Sequence, residues 1–383
     1  MLNFTHATKL LAIAIIMSSS ACSKKDINEP QQPTLKGDFK VQINNAPTKA
    51  VVPNGSDAER KINNLHLFLY ESGSNDCALM HPFTTSELEA AGGPTAIFSL
   101  PKEDVALTTA YDIYAVANTT IITWNENEST TWPTITDLKA LHAADIAAYN
   151  TGSYAEAVDA NGDSKVMPNG IGFLMSGKAN EQAKPAPDKD IPTQITIPLK
   201  RAVSKFVVNA SITADFKTNY QDKYKSTIKV KSVNLTNLPS QSLVIKETTE
   251  VISPLVLADR PQTSGDKELT TVGAKVPVAL VYSFENGAIP TSEATTPYIT
   301  IDVEYDFDGP NGGNEPRKLT YEAQIIQGDG VATTETTDDG KLSRNSQYTI
   351  NVAINGLSAR EIVSTITVEN WIITDDQDAG FGG

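Results

Sequence analysis

Tyr298–Asp308 reads YITIDVEYDFD and alternates without a break. Ile299, Ile301, Val303, Tyr305 and Phe307 fall on one side, and Thr300, Asp302, Glu304, Asp306 and Asp308 on the other. A period of two predicts a strand with one face on a core and one in water. Gly309–Pro316 supplies the turn, and Leu319–Ile326 returns as the second arm of a hairpin. The pattern recurs on both sides of the hairpin. Upstream lie Pro192–Leu199, Lys205–Ile212, Ile228–Leu235 and Val276–Phe284. Downstream, Gln347–Gly356 (QYTINVAING) sets Tyr348, Ile350, Val352 and Ile354 against polar partners. Many short alternating strands between turn signals predict antiparallel β-sandwiches.

Toward the N-terminus the strands continue with Ile62–Tyr70 (INNLHLFLY), with Leu65, Leu67 and Leu69 on one face, then Ala96–Leu100 and Tyr111–Asn118. Ile171–Gly177 is a short buried run. The best helix is Thr134–Tyr149, capped by Thr136, with Leu138, Leu141, Ala144 and Ile146 at helical spacing. The expected class is mainly β: two antiparallel β-sandwich domains, 50–199 and 200–361, with a minor helix in the first.

The two ends of the chain are informative in opposite ways. At the C-terminus, Ile362–Thr374 is strand-like, with Ile366, Val368 and Ile372 on one face and Trp371 and Ile373 on the other. A terminal strand this apolar needs a sheet to receive it, in its own subunit or another. At the N-terminus, Lys9, the apolar run Leu10–Met17 and the small residues Ser18–Ala21 precede Cys22. This resembles a bacterial lipoprotein signal over residues 1–21, with Ser19 where Leu is usual. In such a precursor Cys22 is diacylated through its thiol. Ser23–Leu35 is a polar tether. In GDFKVQINN, Phe39, Val41 and Ile43 alternate with polar residues as a short strand. A Pro/Asn-Gly loop follows, APTKAVVPNGSDAERK, exposed and carrying basic cleavage sites at Lys49 and Arg60. One removable strand thus precedes the body.

Composition excludes several classes. Of 383 residues 40% are hydrophobic, enough for a sizeable core, and the formal net charge of −15 argues against nucleic acid as partner. Only Cys22 and Cys77 occur, so no disulfide framework is expected. The four histidines (6, 66, 81 and 142) show no zinc spacing, and no nucleophile elbow or phosphate-cradling loop is present. Asp159–Asp163 opens like a calcium loop but has Gly170 where a bidentate Glu belongs. It and the Asp306–Asp308 pair read as solvated turns. His66 reads as structural. No catalytic residue, metal or cofactor is called for.

The layout is similar to the FimA-like fimbrillins, subunits of type V pili in Bacteroidales bacteria. The matching features are the signal ending at Cys22; the loop around Lys49; INNLHLFLY; YAVANTT (Tyr114–Thr120); GFLMSG (Gly172–Gly177); IPLKRAVSKFVV (Ile197–Val208); VYSFENG (Val281–Gly287); and LSRNSQYTINVAING followed by VENW (Val368–Trp371). The resemblance implies transthyretin-like sandwiches and a structural, non-enzymatic role. It further implies a lipidated precursor that reaches the outer membrane, and a trypsin-like protease that would cut at Lys49–Ala50, or alternatively at Arg60–Lys61, and remove the propeptide 22–49 with Phe39, Val41 and Ile43. The groove so opened would accept the C-terminal segment 362–383 of a neighbouring copy, with Ile366, Val368, Trp371, Ile372 and Ile373 as donor residues. Known members cut after Arg, whereas the aligned residue here is Lys49. The implied partners are copies of the chain itself in a head-to-tail filament, accessory tip and anchor subunits, the processing protease and the lipid of the outer membrane. The alternative is a surface-tethered glycan-binding lipoprotein, for which Trp124 and Trp132 are the candidate platforms.

Overall fold

The computed structural model describes residues 37–44, 59, 62–83, 95–101, 110–119, 133–143, 146–160, 165, 172–179, 193–246, 256–286, 292, 294–308, 315–325, 342–358 and 362–370. The strands begin with β1 (Gly37–Asn44), β2 (Leu65–Glu71), β3 (Cys77–Phe83), β4 (Thr95–Pro101) and β5 (Tyr111–Ala117). β6 (His142–Ala143), β7 (Met175–Lys178), β8 (Thr193–Pro198) and β9 (Lys200–Arg201) follow. β10 (Val203–Ile212), β11 (Thr227–Pro239), β12 (Ser242–Leu243), β13 (Leu257–Glu268) and β14 (Val276–Phe284) come next. β15 (Tyr298–Asp306), β16 (Arg317–Gln324), β17 (Ser346–Ile354) and β18 (Ile362–Asn370) complete the set.

Two sheets belong to the N-terminal half, in the orders β3-β2-β5-β7-β9 and β4-β1-β8. Two belong to the C-terminal half, in the orders β14-β10-β17-β18 and β13-β11-β15-β16. A small fifth sheet pairs β6 with β12 across the halves. The fold is mainly β with largely antiparallel sheets and few helices, as the alternation predicts. The exceptions are the parallel pairs β1–β8 and β10–β17.

Two buried clusters fill these sheets. The C-terminal one draws Phe206 and Val208 from β10, Val230 and Val233 from β11, and Ile299, Ile301, Val303 and Tyr305 from β15. The predicted inward face of Tyr298–Asp308 is therefore buried from Ile299 to Tyr305, with Phe307 half-buried at its end, while Asp302 on the other face is exposed. Its carboxylate accepts hydrogen bonds from Ser232 and Thr320 on the flanking strands, at 2.8 and 2.7 Å. The N-terminal cluster centres on β2 and β5. Every residue of Leu65–Tyr70 is buried, not only the leucine face, so both faces of β2 are covered. His66 is buried there, as is Cys77, whose thiol donates to the Leu79 carbonyl at 3.2 Å.

The predicted helix over Thr134–Tyr149 breaks into pieces. An α-helix spans only Ile135–Ala140. Its cap is Thr134, whose hydroxyl accepts from the Asp137 N–H while Asp137 reaches back to the Thr134 N–H. Thr136 instead donates to Asn75 at 2.8 Å. Leu141 turns to extended backbone, and its carbonyl accepts from the Val244 N–H at 2.9 Å. The β6–β12 pairing outcompetes continuation of a helix whose apolar stripe is incomplete.

One continuous run joins the halves. In Thr193–Ile212 the chain passes from β8 through β9 into β10, serving three sheets in succession. Where β7 crosses β8, a Cβ on Gly177 would lie 2.2 Å from the Pro198 carbonyl oxygen, so only glycine fits this approach. Alongside sits a buried ion cluster. The carboxylate of Glu285 receives Arg344 on one oxygen and Lys246 on the other, the second contact at 2.7 Å. Arg344 also donates to the Ser176 hydroxyl on β7 and to the carbonyls of Leu243 and Val244, tying the halves together. Burial pushes the nearby Tyr348 phenol up to about 12, so it stays protonated; its oxygen accepts from the Ser343 N–H at 2.8 Å.

Candidate strand-exchange site

β1 is the middle strand of its sheet. It runs antiparallel to β4, with Phe39 opposite Leu100, Val41 opposite Phe98 and Ile43 opposite Ala96. On its other side it runs parallel to β8, with Phe39 at Thr193, Val41 at Ile195 and Ile43 at Ile197. Ile195 and Ile197 are buried members of the N-terminal core. β8 is thus anchored in that core through Ile195 and Ile197 as well as by its pairing with β1. β1, by contrast, connects to β2 through residues 45–64, which include Lys49 and Arg60.

A strand in this position has a defined consequence if lost. β4 and β8 would face each other across one vacant strand width, each with unpaired N–H and C=O groups. Unpaired edges of this kind template the addition of another strand. The vacancy is eight residues long, about 26 Å at about 3.3 Å per residue. A strand entering in the orientation of β1 must run parallel to β8 and antiparallel to β4.

At the other end of the chain, β18 pairs antiparallel with β17 along its whole length, from Ser346 opposite Asn370 to Ile354 opposite Ile362. It is the edge strand of its sheet. Ile366 and Val368, expected in the donated segment, therefore lie on a strand of their own subunit, opposite Ile350 and Tyr348. To be donated they would have to leave β17.

Several expected site residues lie outside the described residues: Cys22, Lys49, Ala50, Arg60, Lys61, Trp371, Ile372 and Ile373, as do Trp124 and Trp132. Among the described residues no group of three or more His, Cys, Asp or Glu could hold a metal ion. Asp306 accepts from the Asp308 N–H at 3.3 Å, an ordinary turn contact. No helix among the described residues is long and apolar enough to cross a membrane. The sequence reading missed Glu59. It falls within a loop expected to be exposed, yet its side chain is fully buried. Nothing in GSDAERK signals burial.

Comparison with solved structures finds the same architecture along nearly the whole chain. A candidate cell adhesion protein from Parabacteroides distasonis aligns with a TM-score of 0.56 at 14% identity, covering 88% of this chain and 98% of the other. A second, from Bacteroides eggerthii, gives 0.53 at 16%, covering 91% and 98%. The tip fimbrial protein Mfa3 from Porphyromonas gingivalis, with a C-terminal truncation, gives 0.50 at 15%, covering 87% and 99%. At these identities the likeness is one of fold. A comparison with curated proteins finds no match. The model of the fimbrillin-A associated anchor proteins Mfa1 and Mfa2 matches residues 28–377, almost the entire sequence. The chain therefore belongs to that fimbrillin family, whose members are structural fimbrial proteins and not enzymes.

Proposed function

We propose that this chain is a structural subunit of a cell-surface fimbrium, made as a lipoprotein precursor and assembled by strand exchange. The observation that carries the reading is the position of β1: an interior strand, flanked by β4 and β8, that precedes β2 to β18 and is joined to β2 by a segment containing Lys49 and Arg60. The precursor is lipidated at Cys22 and held at the outer membrane. A trypsin-like protease cuts at Lys49–Ala50 and releases β1. The groove between β4 and β8 is then filled by the C-terminal segment of the next copy. Because donor and acceptor sites lie at different places on each copy, the contact is heterologous and propagates as a filament.

The donated segment begins where β18 ends. β18 is already paired along its full length, whereas 13 residues, Trp371–Gly383, follow Asn370. Extended, they span about 43 Å, more than the length of the groove. Trp371, Ile372 and Ile373 open this segment, and each contributes on the order of 1.5–3 kcal/mol on full burial. A stalk role is favoured over a terminal one because the chain carries both a removable first strand and an onward donor. The two-domain division, 50–199 and 200–361, belongs to the same reading.

Trypsin treatment of the full-length protein is the test. It should shorten the chain at its N-terminus and convert monomers into ladders of multimers and filaments visible by electron microscopy. A variant ending at Asn370 should be trimmed in the same way, keep its thermal transition and remain monomeric. Trimmed full-length protein that stays monomeric, or filaments from the shortened variant, would sink the reading.

A further inference from the structure

Glu59 lies ten residues beyond Lys49, between β1 and β2. Its side chain is fully buried, and its Oε1 receives two donors. Lys205 Nζ forms an ion pair at 2.9 Å, and the Tyr282 hydroxyl donates at 2.8 Å. Lys205 on β10 and Tyr282 on β14 are themselves buried and directly opposite each other in register. The Glu59 carbonyl accepts from Arg201 Nε at 3.2 Å, and Arg201 is buried on β9. Glu59 is thus held by the C-terminal sheet and by the strand that links the halves. Three residues later the chain is fixed again. Ile62 packs against the N-terminal core, and the Asn63 N–H donates to Asn118 Oδ1 at 2.8 Å.

Removing one partner of a buried ion pair leaves the other charge uncompensated, which costs far more than the pair gains. A chain beginning after Arg60 would leave Lys205 buried without its Glu59 carboxylate. A chain beginning at Ala50 keeps the whole cluster. We propose that Glu59 is a fixed post that limits processing: it confines the cut to its N-terminal side, at Lys49–Ala50, and withholds Arg60–Lys61 from the protease. A protease draws its substrate into its cleft as a free, extended segment. A bond between fixed points three residues apart is cut only after local opening, at a rate scaled by the open population. This inference rests on the strand-exchange reading, whose processing site it assigns, although its test can be read on single subunits.

The test is limited trypsin digestion of the full-length chain, read by intact mass and N-terminal sequencing. The resistant core should begin at Ala50, with Arg60–Lys61 uncut. Glu59→Gln keeps the side chain's size and removes its charge. In that variant, cleavage at Arg60–Lys61 should accelerate by at least about tenfold as the local opening equilibrium shifts. Arg60→Gln should give the wild-type Ala50 core. A wild-type core that begins at Lys61 and keeps the thermal transition of the uncut protein overturns the proposal. So does a folded Glu59→Gln protein cut at the wild-type rate. If Glu59→Gln does not fold, the wild-type core decides alone. An Ala50 core that stays monomeric counts against strand exchange and leaves Glu59 as assigned. Multimers built from a Lys61 core do the reverse.

Discussion

Arg344 shows what the motif letters do. It lies in LSRNSQY and meets Glu285 of VYSFENG, Ser176 of GFLMSG and the carbonyls of Leu243 and Val244. Asn345, at positive φ, accepts from Arg201 of IPLKRAVSKFVV. Asn118 of YAVANTT, also at positive φ, donates to the Phe173 carbonyl at 2.7 Å. Stretches far apart in sequence thus converge on the junction of the two halves. The letters were legible but the convergence was not, because hydrogen bonds at this range leave no periodicity. The Glu285 carboxyl has a testable pH signature. Burial alone would push it up, but the charges of Arg344 and Lys246 outweigh burial and hold it below the usual carboxylate range. A depressed folded value stabilises above the unfolded value, about 4.3 for Glu, and that contribution is lost as pH falls through the folded value. Glu285→Gln should therefore cost about 3–5 kcal/mol at pH 7, where it strands Arg344 and Lys246. The gap from wild type should narrow as pH falls below about 4.3. Urea denaturation at pH 7, 5 and 3.5 checks both; a gap independent of pH would show that the carboxylate is not the source.

Elements were readable from the sequence where one face is apolar and the other polar, as in the β15–β16 hairpin. They were not readable where the inward residues are themselves polar. β13 carries no apolar alternation because its inward positions include Gln262 and Ser264. Gln262 is satisfied by the Thr151 carbonyl and by the backbone N–H and C=O of Leu280, so it is buried without a hydrophobic signature. The helix expected over Thr134–Tyr149 fails for the converse reason: its spacing is helical, but the β6–β12 pairing interrupts it at His142–Ala143, and Ile146–Tyr149 forms a separate 3-10 turn. The expected strand Ile362–Thr374 is described over Ile362–Asn370, and its pairing with β17 poses the sharpest question about an element. Thr349 and Thr367 stand opposite each other in that pair. A Thr349→Cys/Thr367→Cys crosslink, suited to the separation of facing strand residues, would hold β18 on β17. If the donor begins after Asn370, the oxidised variant should elongate at the wild-type rate after trimming. Elongation that stops on oxidation and returns on reduction would mean that β18 leaves β17 and is donated with the tail.

At the scale of the whole molecule, processing changes charge as well as shape. Residues 22–49 contain five Lys and Arg and three Asp and Glu, so residues 50–383 carry −18 where a precursor beginning at Cys22 carries −16. Trimmed copies therefore repel one another more strongly than precursors do, while the proposed joint depends on backbone hydrogen bonds and apolar side chains, which salt barely touches. The two effects separate kinetically. Repulsion between whole subunits acts on encounter, over a screening length of about 30 Å at 0.01 M salt and about 8 Å at 0.15 M. The docked strand governs dissociation, since charge outside the contact mainly changes association rates. Raising NaCl from about 10 to about 150 mM should therefore speed elongation of trimmed protein several-fold, by relieving the repulsion. The persistence of preformed multimers on dilution should not change over the same range. Light scattering during trypsin-triggered assembly measures the first, and gel analysis of diluted filaments the second. Slower elongation at higher salt would mean that opposite charges meet at the joint, and multimers that fall apart as salt rises would mean that ion pairs, not a buried strand, hold it together.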